Sequence, residues 1–183
     1  MIRLKKTIKN LIILAIMLPL FMGFNGLFFS PTKALHTSEK DLHYGPTEIV
    51  HSFERDNMRY FLGRYENYIT FVPIKRAMGI FWRYGGGFGV ENHSDKPVFY
   101  SYRSNDDEYA IFGVRNDHDI VRIDLVFKGP DEYTKRISID EFYDDLFYVM
   151  WKKEDDTAVV YGLSENCLFA YDKDEKIVYE TLF

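Results

Sequence analysis

A single cysteine, Cys167, is the only thiol in this chain of 183 residues. It has no partner for an intramolecular disulfide, so packing must supply the stability that many exported proteins draw from cross-links. That absence suits an exporting organism that does not rely on disulfides, as in many Gram-positive bacteria. Cys167 stands in the apolar run Cys167-Leu168-Phe169-Ala170-Tyr171 with no histidine beside it. This setting reads as a buried small hydrophobe rather than a nucleophile.

Other chemical signatures are missing too. His36, His43, His51, His93 and His118 include no H-x-H or H-x-x-x-H pair, so zinc would need ligands from distant segments. The acidic clusters at Asp106-Asp107-Glu108, Asp117/Asp119, Asp144-Asp145, Glu154-Asp155-Asp156 and Asp172/Asp174-Glu175 offer oxygens that calcium could use but lack the order of a calcium loop, and most read as solvated turns. No G-x-S-x-G occurs, and Ser164 in Gly162-Leu163-Ser164-Glu165 has no nucleophile-elbow context. The run Tyr84-Gly85-Gly86-Gly87-Phe88-Gly89 lacks the Lys-Ser/Thr of a phosphate loop, and no helical pattern follows it. It reads as a wide turn between strands. No catalytic residue, cofactor or metal site is assigned on these grounds.

What is abundant is aromatic. The chain is 46% hydrophobic and 17% aromatic, with 16 Phe and 14 Tyr, enough apolar surface to bury a core. The net charge of −5 hides an asymmetry: residues 1–34 carry Arg3, Lys5, Lys6, Lys9 and Lys33 and no acid, so the remainder is strongly acidic. Such a domain is repelled by phosphate polymers and by anionic lipid headgroups, which argues against nucleic acid as a partner.

The basic residues precede an uncharged apolar stretch at 11–29. A basic flank stays in the cytoplasm, which places the C-terminal part outside. Two expectations compete. Thr32-Lys33-Ala34 puts small residues at −3 and −1 and favours a signal peptide cleaved after Ala34. The stretch is nevertheless longer than the roughly 7–15 residues of a signal core and approaches the ~20 of a membrane span, which favours a retained anchor. The balance tips slightly to cleavage.

The rest divides into a polar linker at 35–46 and one β-rich domain at 47–183. Thr47 is a candidate N-cap for a short helix to about Asn57, with Ile49, Val50 and Phe53 on one face. Strand patterns follow at 58–65, 68–74, 79–84, 98–103, 109–114, 121–127, 136–140, 146–151, 157–161, 167–171 and 177–182. Residues 146–151, apolar on both faces, are expected at the centre of a sheet. Val121, Ile123, Leu125 and Phe127 alternate with polar Arg122 and Asp124, the pattern of a half-exposed strand. The predicted fold is α+β, mostly antiparallel sheet in a meander, with one short N-terminal helix.

The segment Gly79-Ile80-Phe81-Trp82-Arg83-Tyr84-Gly85-Gly86-Gly87, preceded by Gly45-Pro46-Thr47-Glu48, resembles a group of small exported or membrane-tethered proteins of bacilli with no assigned function. Ile111-Phe112-Gly113-Val114 and Val160-Tyr161-Gly162 are similar to that group as well. The resemblance implies a one-domain β-rich fold at the cell envelope and supplies no site residues.

Function is therefore expected to be that of an extracytoplasmic, non-enzymatic binding or accessory protein, secreted or anchored in the cell membrane with its domain outside. Its partner would be an unknown protein or envelope component, and it would meet the membrane only through its N-terminal segment. Trp82, Tyr84 and Trp151 are the candidate binding surface. Two other classes stay open: an envelope hydrolase with paired carboxylates, and an immunity-type protein against a secreted toxin.

Overall fold

The protein is described from a computed structural model, which covers residues 2–104, 108–128, 134–152 and 166–182. The expected strand at 157–161, the Asp155-Asp156 turn and Ser164 lie outside the described residues. Where the sequence suggests one domain over 47–183, the chain divides into two compact units. The first is Met1–Tyr65 with Thr70–Phe88, and the second is Glu66–Ile69 with Gly89–Phe183.

The first unit opens with α1 (Ile2–Phe24), whose window from Thr7 to Phe24 is long and apolar enough to cross a membrane. Its side chains from Ile8 to Phe21 are exposed, as expected of a helix whose natural surroundings are apolar. The second helix, α2 (Pro31–Asp41), begins with Pro31 after the cap Ser30, whose side chain accepts the Lys33 N–H at 3.4 Å. Ala34, Leu35, Ser38 and Glu39 are buried on one of its faces.

This helix occupies most of what reads as a linker, and the boundary drawn at Ala34 falls inside it. The sequence signal is weak because two of the four buried positions are polar. Conversely, the helix expected at 47–57 is absent. Residues Glu48–Arg55 form β1, paired antiparallel with β2 (Met58–Tyr65) in a register that sets Phe53 opposite Tyr60 and Ser52 opposite Phe61. Cross-strand packing outweighs the local capping signal at Thr47. Phe53 stacks on Tyr60 at 5.0 Å between ring centroids, and Tyr60 on Phe71 at 5.6 Å.

β3 (Tyr68–Ala77) and β4 (Phe81–Tyr84) extend this sheet in the order β1-β2-β3-β4, a true meander, and β5 (Phe88–Glu91) also pairs with β3. Asp56 and Glu66 take positive φ at two of the connecting turns. In the glycine run, Gly86 has φ of 82°, while a Cβ on Gly85 or Gly87 would lie 2.9 Å from the backbone of Pro73 or Val72. The run is thus a tight structural turn.

The second unit contains two further antiparallel sheets. One holds β6 (Val98–Ser104), β7 (Glu108–Arg115) and β10 (Leu146–Lys152) in the order β10-β7-β6. The other holds β8 (Arg122–Lys128), β9 (Thr134–Ile139), β11 (Cys167–Tyr171) and β12 (Ile177–Leu182) in the order β12-β11-β8-β9. The α+β, mainly antiparallel class holds, but the meander gives way here to long-range pairings of β7 with β10 and β8 with β11.

Among the described strands β7 lies between β10 and β6. One strand assignment changes. In β8, Asp124 and Val126 are buried as well as Ile123, Leu125 and Phe127, so neither face is open to water. Asp124 lies 3.5 Å from Arg122 and 3.9 Å from Arg136, loose ion pairs that leave its Oδ1 without a hydrogen bond among the described residues. The two sheets share one core in which Ile111, Phe147 and Trp151 of one meet Ile123, Leu125 and Leu168 of the other.

Candidate functional site

In the first unit, α2 lies against the sheet through Ala34 and Leu35, which join Phe61, Val72, Ile74 and Trp82 in a buried cluster. Further down the same helix Ser38 donates to the Ala34 carbonyl at 2.8 Å, which anchors the buried hydroxyl. Glu39 follows as a fully enclosed carboxylate. Both of its oxygens accept the Thr47 backbone N–H at 3.3 Å, and Oε2 lies 2.8 Å from His36 Nδ1.

Glu39 therefore braces the chain where it leaves α2 for β1. The chain turns through Gly45 at φ of 91°, where a Cβ would sit 3.0 Å from Glu39, and through a cis Gly45–Pro46 bond. A glycine is required there both by conformation and by close approach.

Beside this brace is an open cavity of about 380 Å3, lined by His36, Lys40, His43, Tyr44, Pro46 and Tyr65. The Tyr44 hydroxyl is buried and finds no hydrogen-bond partner among the described residues. Burial first, then the neighbouring Tyr84 and the Glu39 carboxylate, push the Tyr44 pKa up to about 12. The Tyr44 and Tyr65 rings are 6.3 Å apart at a tilt. The cavity thus joins two aromatic walls with one lysine and two histidines. That combination fits a small ligand bearing an acidic or hydrogen-bonding group on an apolar body.

The residues singled out from sequence sit elsewhere. Trp82 is 8% exposed and Trp151 6% exposed, so neither indole forms a platform at the surface. Trp82 belongs to the α2 cluster, with the Arg76 guanidinium stacked 4.7 Å from its ring. Trp151 lies in the core of the second unit, with Phe127 edge-on at 5.4 Å. Aromatic residues at alternate strand positions fill the sheet interior before they serve a surface. Tyr84 is half-buried and donates its hydroxyl to the Gly87 carbonyl at 2.7 Å, holding the glycine turn. Ala34 is buried within α2.

The cavity residues carried no motif. The traces they leave in the sequence are an acid on a short helix and a Gly-Pro step just after it.

The acidic clusters that are described act as turn closures and ion pairs. Asp172 Oδ1 accepts the backbone N–H of Asp174 at 2.9 Å and of Lys176 at 3.0 Å. Asp145 meets Arg115 at 2.8 Å and His118 at 3.2 Å. Burial opposes its charged form, but the Arg115 and His118 interactions outweigh that and hold its pKa below the usual carboxylate value. Among the described residues no group of three His, Cys, Asp or Glu side chains is placed to hold a metal ion.

A second feature lies where α1 meets the sheet. The Leu27 N–H donates to the Met22 carbonyl at 2.9 Å, closing the end of α1. Phe28 then exchanges two backbone hydrogen bonds with Trp82 of β4, at 2.9 and 2.7 Å. Met22, Leu27 and Phe81 are buried together, and Phe29 packs on Phe81 with centroids 5.1 Å apart. The end of the apolar helix is thereby integrated into the folded unit.

No family model, curated protein or solved structure matches this chain.

Proposed function

We propose that the protein is a non-enzymatic binding or accessory protein of the cell envelope, held by α1 as a permanent anchor with its folded part outside the membrane. The observation that carries this reading is the junction just described. Cleavage after Ala34 would remove Phe28 from its pairing with Trp82, cut α2 in its first turns and leave Leu35 as a charged N-terminus in an apolar cluster. Burying an unpaired charge there is costly. The retained helix therefore agrees better with the fold than the cleaved signal peptide that the sequence slightly favours. The basic flank at Arg3 to Lys9 supports the outward orientation of the rest.

Binding is favoured over hydrolysis because the residues lining the cavity include no carboxylate, and Glu39 beside it is already committed to Thr47 and His36. The cavity at the end of α2 is the proposed ligand site.

Two measurements test the proposal. The intact mass of the membrane-extracted protein should be that of a chain retaining residues 1–34, and protease added to protoplasts should remove a tag placed after Phe183. A mature chain starting at Leu35, or a tag protected from outside, overturns it. Capture of envelope components should weaken when Lys40→Glu and His43→Glu are combined, without a change in melting temperature. Equal capture rejects the cavity as the ligand site.

A further inference from the structure

The turn between β3 and β4 exposes three consecutive residues, Met78, Gly79 and Ile80, with Met78 at 74% and Ile80 at 65% exposure. Two large apolar side chains at a hairpin tip are costly in water. Their position in the unit supplies a reason. The next residue, Phe81, is buried against Met22 and Leu27, so the tip stands beside the last turn of α1. Phe29, 63% exposed, packs on the same Phe81, and Phe24 is almost wholly exposed.

The length of α1 points the same way. Its uncharged part from Asn10 to Phe24 rises only ~22 Å, whereas the hydrocarbon layer is about 30 Å thick. A bilayer spanned by α1 therefore reaches beyond Phe24, to the level of Phe29 and the β3–β4 tip.

Charge completes the pattern. Lys75 and Arg83 are directly opposite each other in the β3–β4 register, both exposed, and neither has an ion-pair partner among the described residues. Like charges facing across a ladder repel, and an anionic surface would relieve them. They stand three residues behind the tip, roughly 10 Å along the strands. That is a fitting separation between buried tip residues and the phosphate layer.

Resting on the reading of α1 as a retained anchor, we propose that the Met78-Gly79-Ile80 tip, with Phe29, inserts into the outer interface of the bilayer that α1 spans, while Lys75 and Arg83 bind anionic lipid headgroups. The first unit is then fastened at two points, a spanning helix and an interfacial hairpin. This fixes its orientation at the membrane surface, which a single flexible tether would not.

The test uses the full chain with Cys167→Ala and one new cysteine, carrying an environment-sensitive fluorophore, in vesicles of phosphatidylglycerol and phosphatidylethanolamine. Vesicle flotation reports α1 insertion independently. Ile80→Cys should give blue-shifted emission and at least a two-fold greater quenching by shallow spin-labelled lipid than Asp174→Cys on the β11–β12 turn. Adding Lys75→Glu and Arg83→Glu, or using phosphatidylcholine alone, should reduce that quenching. Chains that float with position 80 as water-exposed as position 174 overturn the proposal and leave the anchor standing; chains that fail to float overturn both. Hydrogen exchange of the unlabelled wild-type chain supplies a second readout. Amides 77–81 should exchange more slowly in anionic than in neutral vesicles, and equal rates count against the proposal.

Discussion

Leu35 is the residue at which the fold and the export signal make opposite demands. It is fully buried, packed with Phe61, Val72, Ile74 and Trp82. Leu35→Ala deletes most of a buried side chain and leaves a cavity that a rigid sheet fills poorly, at a cost of roughly 2–5 kcal/mol. For a domain of this size each kcal/mol lowers the melting temperature by roughly 2–4 °C, so a mid-range loss of ~3 kcal/mol corresponds to roughly 6–12 °C. The control is Leu42→Ala. Leu42 ends the same helix but is 53% exposed, and its truncation should cost less than ~1 kcal/mol. The assay is circular dichroism of the detergent-solubilised full chain on heating, repeated in denaturant to check that the slope is unchanged. A chain beginning at Leu35 should melt at least as low as Leu35→Ala, because it also loses the Phe28–Trp82 pairing and the Ser30 cap. If Leu35→Ala melts within a degree of the parent, α2 is not docked on the sheet and the case for a retained anchor fails with it.

Substitution of the glycine run should be uneven. Gly86→Ala is strained by its positive φ, at about 1 kcal/mol or more, and Gly85→Ala or Gly87→Ala must push back the backbone of Pro73 or Val72. Three single-mutant melts superimposing on the parent would refute this account. Asp145 has a folded pKa below the usual carboxylate value, so its contribution to stability is present above about 3.8 and is lost as pH falls through the folded value. The melting-temperature gap between the parent and Asp145→Asn should therefore be widest near neutral pH and close in acid, and a pH-independent gap would contradict the Arg115–Asp145 pairing. Cys167 is buried, so a thiol reagent should label it only after denaturation, and Cys167→Ala should cost stability alone; rapid labelling of the folded protein would show otherwise.

Several features of this protein are determined by its sequence alone. The apolar run behind Arg3 to Lys9 specifies a membrane-length helix whatever follows, because no polar face exists to pack otherwise. Strands such as Met58–Tyr65, Leu146–Lys152 and Cys167–Tyr171 are legible from local apolar and aromatic density, since each must bury its side chains in any fold.

Pairing is not local, and here the tertiary structure decided. β7 pairs with β6, its neighbour in sequence, and also with β10, which lies some thirty residues further on. Residues 48–55 read as a helix from the Thr47 cap, and β2 overrides that local signal by offering Tyr60 to Phe53. α2 escapes a periodicity reading because Ser38 and Glu39 occupy its buried face, a choice that makes sense only once Ala34 and Thr47 are in place to bond them. The cavity beside Tyr44 is assembled from the end of a helix, a cis-proline turn and the end of β2, segments whose approach depends on that same brace. A burial pattern records how apolar a segment is, but not which other segment covers it. The docking of α2 and the junction of α1 with β4 therefore become visible only in three dimensions.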